Sequence, residues 1–220
     1  MKRAGAFGLA LLMLSACSNA DVKPTTFLEE FSSAGEAAPG FLNAAVANAY
    51  IPMEGRKGLF DHNLGAGVVI APGMAVTAGH NDYFVDPADV IGKSKAYDLF
   101  FFRAAKGAPD AVAKPWVAEE VIAYGSGNDG SLRMARGRVT SVDSLANNQQ
   151  CPDCGVQHAF TFEANGGFRF SGGPVVDATD GKLVGVVFGF TDEKGGGRLM
   201  YAYDMDRVLK ELALVQGHGA

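Results

Sequence analysis

The sequence predicts an all-β protein that ends in a single helix, and three observations lead there. Glycine is abundant, with 29 residues in a chain of 220, while Val, Phe and Thr recur in short runs, a balance that favours strands over a helical bundle. Two apolar, β-prone runs, Leu64–Ile70 and Met74–Ala78, flank Ala71-Pro72-Gly73, the pattern of a hairpin. Near the end, Asp204 precedes Met205–Val215, where Val208, Leu209, Leu212 and Val215 share one helical face behind an N-capping carboxylate. With 48% hydrophobic and 20% charged residues, the chain can bury one compact core or those of two small lobes of roughly 100 residues each.

In chain order, residues 1–16 read as a signal peptide. Lys2 and Arg3 form its charged start, and Ala4–Leu14 form an apolar run too short to span a bilayer as a helix. The following Leu14-Ser15-Ala16-Cys17 resembles the lipobox of bacterial lipoproteins. That resemblance implies acylation of Cys17 as the first mature residue. With Ser18 next, it further implies an outer-membrane location facing the periplasm, held by more than one acyl chain. Residues 17–40, rich in Ser, Ala, Asp, Pro, Thr and Gly, read as a tether. Phe41–Tyr50 places Phe41, Leu42, Ala45, Val46, Ala49 and Tyr50 on one face of a short packing helix.

After the hairpin, Asp98-Leu99-Phe100-Phe101-Phe102 is a strand that opens with a carboxylate. Ala104–Pro115 is the expected link between lobes, dividing residues 41–105 from residues 106–220. Further strands are expected at Val117–Tyr124, Leu132–Val142, His158–Glu163, Val175–Asp177, Leu183–Phe190 and Arg198–Tyr203. Trp116, at the start of one of them, is expected in the core. The formal charge of −5 becomes more acidic once Lys2 and Arg3 leave with the leader. Such a surface lacks the basic patch that nucleic-acid phosphates require, so the expected partners are proteins or peptides.

The chemistry concentrates at strand ends. Ser171 lies in Phe170-Ser171-Gly172-Gly173-Pro174, a tight turn in which glycines let the backbone approach a ligand. A serine hydroxyl becomes a useful nucleophile when an imidazole takes its proton and a buried carboxylate orients that imidazole. His80 and Asp98 are the candidates. Asp82, Asp86 and Asp89 lie nearer to His80, but only Asp98 opens an apolar strand that would bury it.

Three segments, in order, resemble trypsin-like serine proteases. Gly65–Ile70 with Val76-Thr77-Ala78-Gly79-His80 is similar to that family's strand pair and histidine motif. Tyr97–Arg103 is similar to its aspartate strand, and Phe170–Val176 with Leu183–Gly189 to its nucleophile turn and substrate-pairing strand. The resemblance implies two six-stranded antiparallel β-barrels with the site in the cleft between them. It implies His80 as general base, Asp98 as its orienting partner and Ser171 as nucleophile, with no metal or cofactor. It also implies an oxyanion hole from the backbone amides of Arg169 and Ser171, and a primary pocket near Asn165 and Phe190, suited to a small or medium apolar side chain. Arg169 stands where the family has glycine, and loss of one oxyanion donor costs about 10²–10³ in rate. A catalytically impaired peptide-binding lipoprotein on the same scaffold therefore stands beside the serine endopeptidase as an alternative.

With Cys17 assigned to lipid, Cys151 and Cys154 remain as a pair, and an oxidising envelope would join them in a disulfide. Redox catalysis by this Cys-x-x-Cys lacks the strand-to-helix setting it needs. A zinc site from Cys151, Cys154 and His158 lacks a fourth ligand.

Overall fold

The computed structural model describes residues 35–37, 44–56, 62–105, 107, 111–194 and 196–217. The expected signal peptide, Cys17 and most of the tether lie outside the described residues, as do Phe41 and Leu42 of the expected first helix. In order, the elements are β1 (Glu36–Ala37), α1 (Ala44–Ala49), β2 (Tyr50–Arg56), β3 (His62–Ala71), β4 (Met74–Ala78), β5 (Val90–Lys93) and β6 (Leu99–Arg103). They continue as β7 (Glu120–Ser126), β8 (Leu132–Asn147), β9 (Val156–Ala164), β10 (Pro174–Asp177), β11 (Leu183–Asp192), β12 (Arg198–Asp204) and α2 (Met205–Gly217). The chain is all-β with a C-terminal helix, as its pattern predicts.

Two antiparallel sheets carry the fold. The first is 5-stranded, in the order β2-β3-β4-β6-β5, where the resemblance implies six strands. Its centre is the predicted hairpin: β3 and β4 pair Gly67 with Thr77 and Val68 with Val76. Val68, Val69, Val76, Leu99 and Phe101 are buried there. The second sheet runs β1-β8-β7-β10-β11-β12-β9, and β8 also pairs with β9, so the order of β7 to β12 returns on itself. Its interior holds Phe160, Phe162, Phe170, Val175 and Met200.

Helix α2 joins the two sheets. It leaves β12 of the second, capped as predicted, with the Arg207 amide donating to Asp204 Oδ1 at 3.0 Å. Its buried face, Met205, Val208 and Leu212, then enters the same core as Val68, Leu99 and Phe101 of the first sheet. Ser94 Oγ donates to Glu211 Oε2 at 2.7 Å and fixes the helix beside β5.

Three features differ from expectation. The first helix is only Ala44–Ala49, and Tyr50 begins β2, where its buried ring reaches Ser126 of the second sheet at 3.0 Å between hydroxyls. Residues 36–37, assigned to the tether, pair with Met134 and Arg133 of β8. Trp116 is 60% exposed rather than in the core, because the strand starts only at Glu120 and Trp116 sits in the turn before it.

That turn contains a buried acid. Glu119 is 2% exposed, and its Oε2 accepts the Trp116 amide at 2.8 Å. Burial, with Asp177 as neighbour, pushes its carboxyl up to about 7. A carboxyl raised on folding binds its proton more tightly in the native state, so stability is lost as pH rises from the ordinary carboxylate range through about 7. Glu119→Gln removes that cost while keeping an acceptor for Trp116 and a donor for Asp177. Thermal melts should place the variant above the parent at pH 8, by on the order of 1–3 kcal/mol, with the gap closing near pH 4.5. An equal gap at both pH values would refute the assignment.

Candidate active site

A cleft of about 770 Å³ runs between the sheets. His80, Asn81 and Tyr83 line it from the first sheet; Asn148, Ser171 and Phe190 are among those lining it from the second. His80 is delivered by β4, which ends at Ala78 and continues as a 3-10 turn over Gly79–Phe84. Asp98 sits just before β6, the neighbour of β4, and register brings the two together: Ala78 pairs with Leu99.

His80 Nδ1 lies 2.6 Å from Asp98 Oδ2. Asp98 is 0% exposed. A buried carboxylate needs donors, and an imidazole carrying its proton on Nδ1 supplies one; in that neutral tautomer Nε2 is the ring's acceptor. The second donor is Asn148 Nδ2, at 2.8 Å from the same oxygen. Asn148 comes from the second sheet, in the turn after β8. The Asp98 amide donates to Tyr203 Oη at 3.2 Å, and that hydroxyl donates to Gln157 Oε1 at 2.5 Å. Burial, followed by the nearby Asp98 charge, holds the Tyr203 phenol far above its ordinary range, so it remains a donor. Asp98 Oδ1 is buried without a hydrogen-bond partner. It lies against Gly79, where an added Cβ would stand only 2.6 Å away. Glycine at this position gives the carboxylate room.

Ser171 follows a 3-10 turn, Phe168–Phe170, closed by the Phe170 amide on the Gly167 carbonyl at 3.0 Å. After it, Gly172 at φ 85° donates to the Val187 carbonyl at 2.7 Å, and Val187 donates to Gly173 at 3.0 Å, so the turn is stitched to β11. A side chain at Gly172 would overlap the Ala66 carbonyl and the Thr77 hydroxyl. Asn81 Nδ2 spans the gap between the sheets, donating to the Ser171 carbonyl at 2.9 Å and to Thr77 Oγ1 at 3.1 Å.

His80 and Asp98 are thus in direct contact, and Ser171 shares the cleft with His80. The Ser171 hydroxyl itself donates to the Phe188 carbonyl at 3.5 Å, and no hydrogen bond joins it to His80. Arg169 lines the cleft half-buried; its Nη1 is shut away from solvent without a partner. Phe190 lines the cleft as well, edge-to-face with Phe168 at 5.0 Å and covered by Arg198 at 4.7 Å from its centroid. Asn165 is exposed and lies outside the cleft lining, beyond the turn that carries Phe168. Cys151 and Cys154 form a disulfide, and His158 pairs with Asp143 at 2.6 Å. Asn81 and Asn148 escaped the sequence reading, since a lone asparagine in a loop carries no spacing signal.

No family model matches the chain, and no curated protein does. Solved structures do share its fold. The protease domain of MamO from Magnetospirillum magneticum aligns with TM-score 0.59 and 16% identity, covering 77% of this chain and 98% of that one. The active form of the Rv3671c protease from M. tuberculosis aligns with TM-score 0.63 and 18% identity, over 81% and 87% of the two chains. The HtrA-type protease AlgW, bound to a tripeptide, aligns with TM-score 0.62 and 20% identity, over 80% of this chain and 62% of that one. The fold is therefore of the trypsin-like double β-barrel class.

The crowding at Gly79 gives a direct test. Gly79→Ala should destabilise the protein by about 1–3 kcal/mol in a denaturant titration, because the new methyl displaces a buried carboxylate. Unchanged stability would mean that Asp98 is not confined against this backbone.

Proposed function

We propose that this chain is a serine endopeptidase that cleaves peptide bonds through an acyl-enzyme. The observation that carries the reading is the 2.6 Å contact of His80 with the buried Asp98, on the wall of the cleft that also holds Ser171. With Nδ1 committed to Asp98, His80 Nε2 is the base. Ser171 Oγ leaves the Phe188 carbonyl, passes its proton to Nε2 and attacks the peptide carbonyl. Asp98 and Asn148 together hold the imidazolium that forms. His80 then returns the proton to the departing amine, and a water molecule activated by the same imidazole releases the acyl group. The amides of Arg169 and Ser171 are the candidate donors to the oxyanion.

The substrate would be an extended segment. Beyond Val187, β11 pairs only with β12, and its other edge lines the cleft through Gly189, Phe190 and Thr191. A peptide can add there as a strand. The AlgW neighbour was solved with a tripeptide, which fits this mode. The lipobox-like leader extends the reading to an envelope protein anchored through Cys17, with the outer membrane facing the periplasm as its site.

A second reading has its own support: a scaffold that binds peptides without cutting them. Ser171 rests on Phe188 rather than on His80, and Arg169 occupies the position where the resemblance calls for glycine.

A fluorophosphonate probe separates the two. The peptidase labels at Ser171, loses the label in Ser171→Ala, and in Asp98→Asn turns over peptide about 10³–10⁴-fold more slowly. Folded protein that stays unlabelled supports the binder. For the anchor, Cys17→Ala should abolish incorporation of an alkynyl palmitate and release the protein from membranes; persistent labelling would reject Cys17 as the acylated residue.

A further inference from the structure

The cleft is lined mostly by neutral groups. Asn147, Asn148, Gln149 and Gln150 form an amide-rich stretch of its wall, and Phe168 and Phe190 an aromatic one. Three lining residues can carry charge: His80, Arg169 and Asp192. His80 is tied to Asp98. Asp192 is neutralised by Arg198, whose Nε donates to it at 2.9 Å, while Arg198 Nη1 donates to the Gly166 carbonyl at 2.8 Å. Among the described residues, Arg169 is the remaining charge of the lining, and none of them compensates it. Among the described residues its side chain makes no hydrogen bond or ion pair, and Nη1 is buried with no acceptor.

A guanidinium left this way is costly. A buried donor without an acceptor carries its full desolvation penalty, and the penalty is larger for a charged group. The burial is strong enough to pull the guanidinium below its ordinary range. Of the other buried polar side chains, Asn81, Asn148, Gln157 and Glu211 all have partners, while Asp98 Oδ1 and Arg133 Nε, like Arg169 Nη1, do not. Arg169 also lines the cleft, two residues from Ser171. Its planar fork fits a carboxylate bidentately, which a lysine could not do.

We infer that Arg169 is a carboxylate-recognition residue, and that the cleft selects peptides bearing an acidic group next to the bond held at Ser171. This rests on the proposed peptide-cleaving site and adds its substrate class. The carboxylate can belong to an Asp or Glu side chain or to a free C-terminus; both present the same fork-shaped acceptor. Phe168, 57% exposed, offers apolar surface beside it for the flanking residue.

The test uses the inert Ser171→Ala protein, so that binding is read without turnover. Fluorescein-labelled decapeptides of mixed Ala, Val, Leu and Ser carry one Glu, or its isostere Gln, at each position in turn, with the C-terminus as acid or amide. Fluorescence anisotropy should show tighter binding of the acidic member of a pair by about 10-fold or more. The position of the effect tells side chain from terminus, and either result supports the inference. Adding Arg169→Gln should collapse the ratio towards one, and Arg169→Lys should leave an intermediate ratio, with circular dichroism confirming that both fold. Equal binding of acid and amide peptides, no binding of the acidic peptides, or a preference that survives Arg169→Gln would each overturn it. Fluorophosphonate labelling of the parent protein reports the peptidase reading separately: labelled protein without acid preference loses only the inference, and acid preference without labelling loses only the peptidase.

Discussion

One carboxylate with no solvent exposure sets the terms for the site. Asp98 is carried by the first sheet, yet its bonded oxygen takes donors from both: His80 from the first and Asn148 from the second. Its own amide reaches Tyr203, again on the second sheet. Removing either donor would leave a buried charge short of a partner, a penalty of about 3–5 kcal/mol that is a sizeable fraction of a typical domain's stability. The relative placement of the two sheets is therefore not a matter of apolar packing alone. It is also fixed by a polar network that ties Asp98 to His80, Asn148 and Tyr203.

Ser171 is positioned by the reciprocal arrangement. Ser171 belongs to the second sheet, and its carbonyl accepts Asn81 Nδ2 and the Ala66 amide at 3.4 Å, both from the first. Gly172 makes that approach possible, because a side chain there would strike Ala66 and Thr77. Each sheet thus supplies a hydrogen bond to the other's cleft residue. The hydroxyl itself is held within the second sheet, where it donates to the Phe188 carbonyl at 3.5 Å.

Much of this was legible in the residues. The hairpin of β3 and β4, the strand opened by Asp98, the Ser-Gly-Gly-Pro turn and the capped α2 each follow from local pattern, and strands β6 to β12 begin within a few residues of expectation. What escaped depends on partners far along the chain. β2 contains Pro52 and Gly55, and β5 is only Val90–Lys93 with a register shift, so neither has the period of a strand until its neighbour supplies one. Asn148 becomes informative only once folding sets it against Asp98, a separation of 50 residues. Arg169 was visible as a departure from glycine, but the sequence spoke only of its amide. That its Nη1 is buried without a partner depends on how the turn packs, which no local pattern conveys.

The C-terminal helix has a consequence for how the molecule is made. Its residues Met205, Val208 and Leu212 complete the core of the first sheet, and Glu211 closes onto Ser94, 117 positions earlier. A growing chain usually matures its leading part while the rest is still being synthesised. Here the leading sheet lacks part of its apolar lining until α2 has been made, so its core is completed only after the strands of the second sheet have been synthesised.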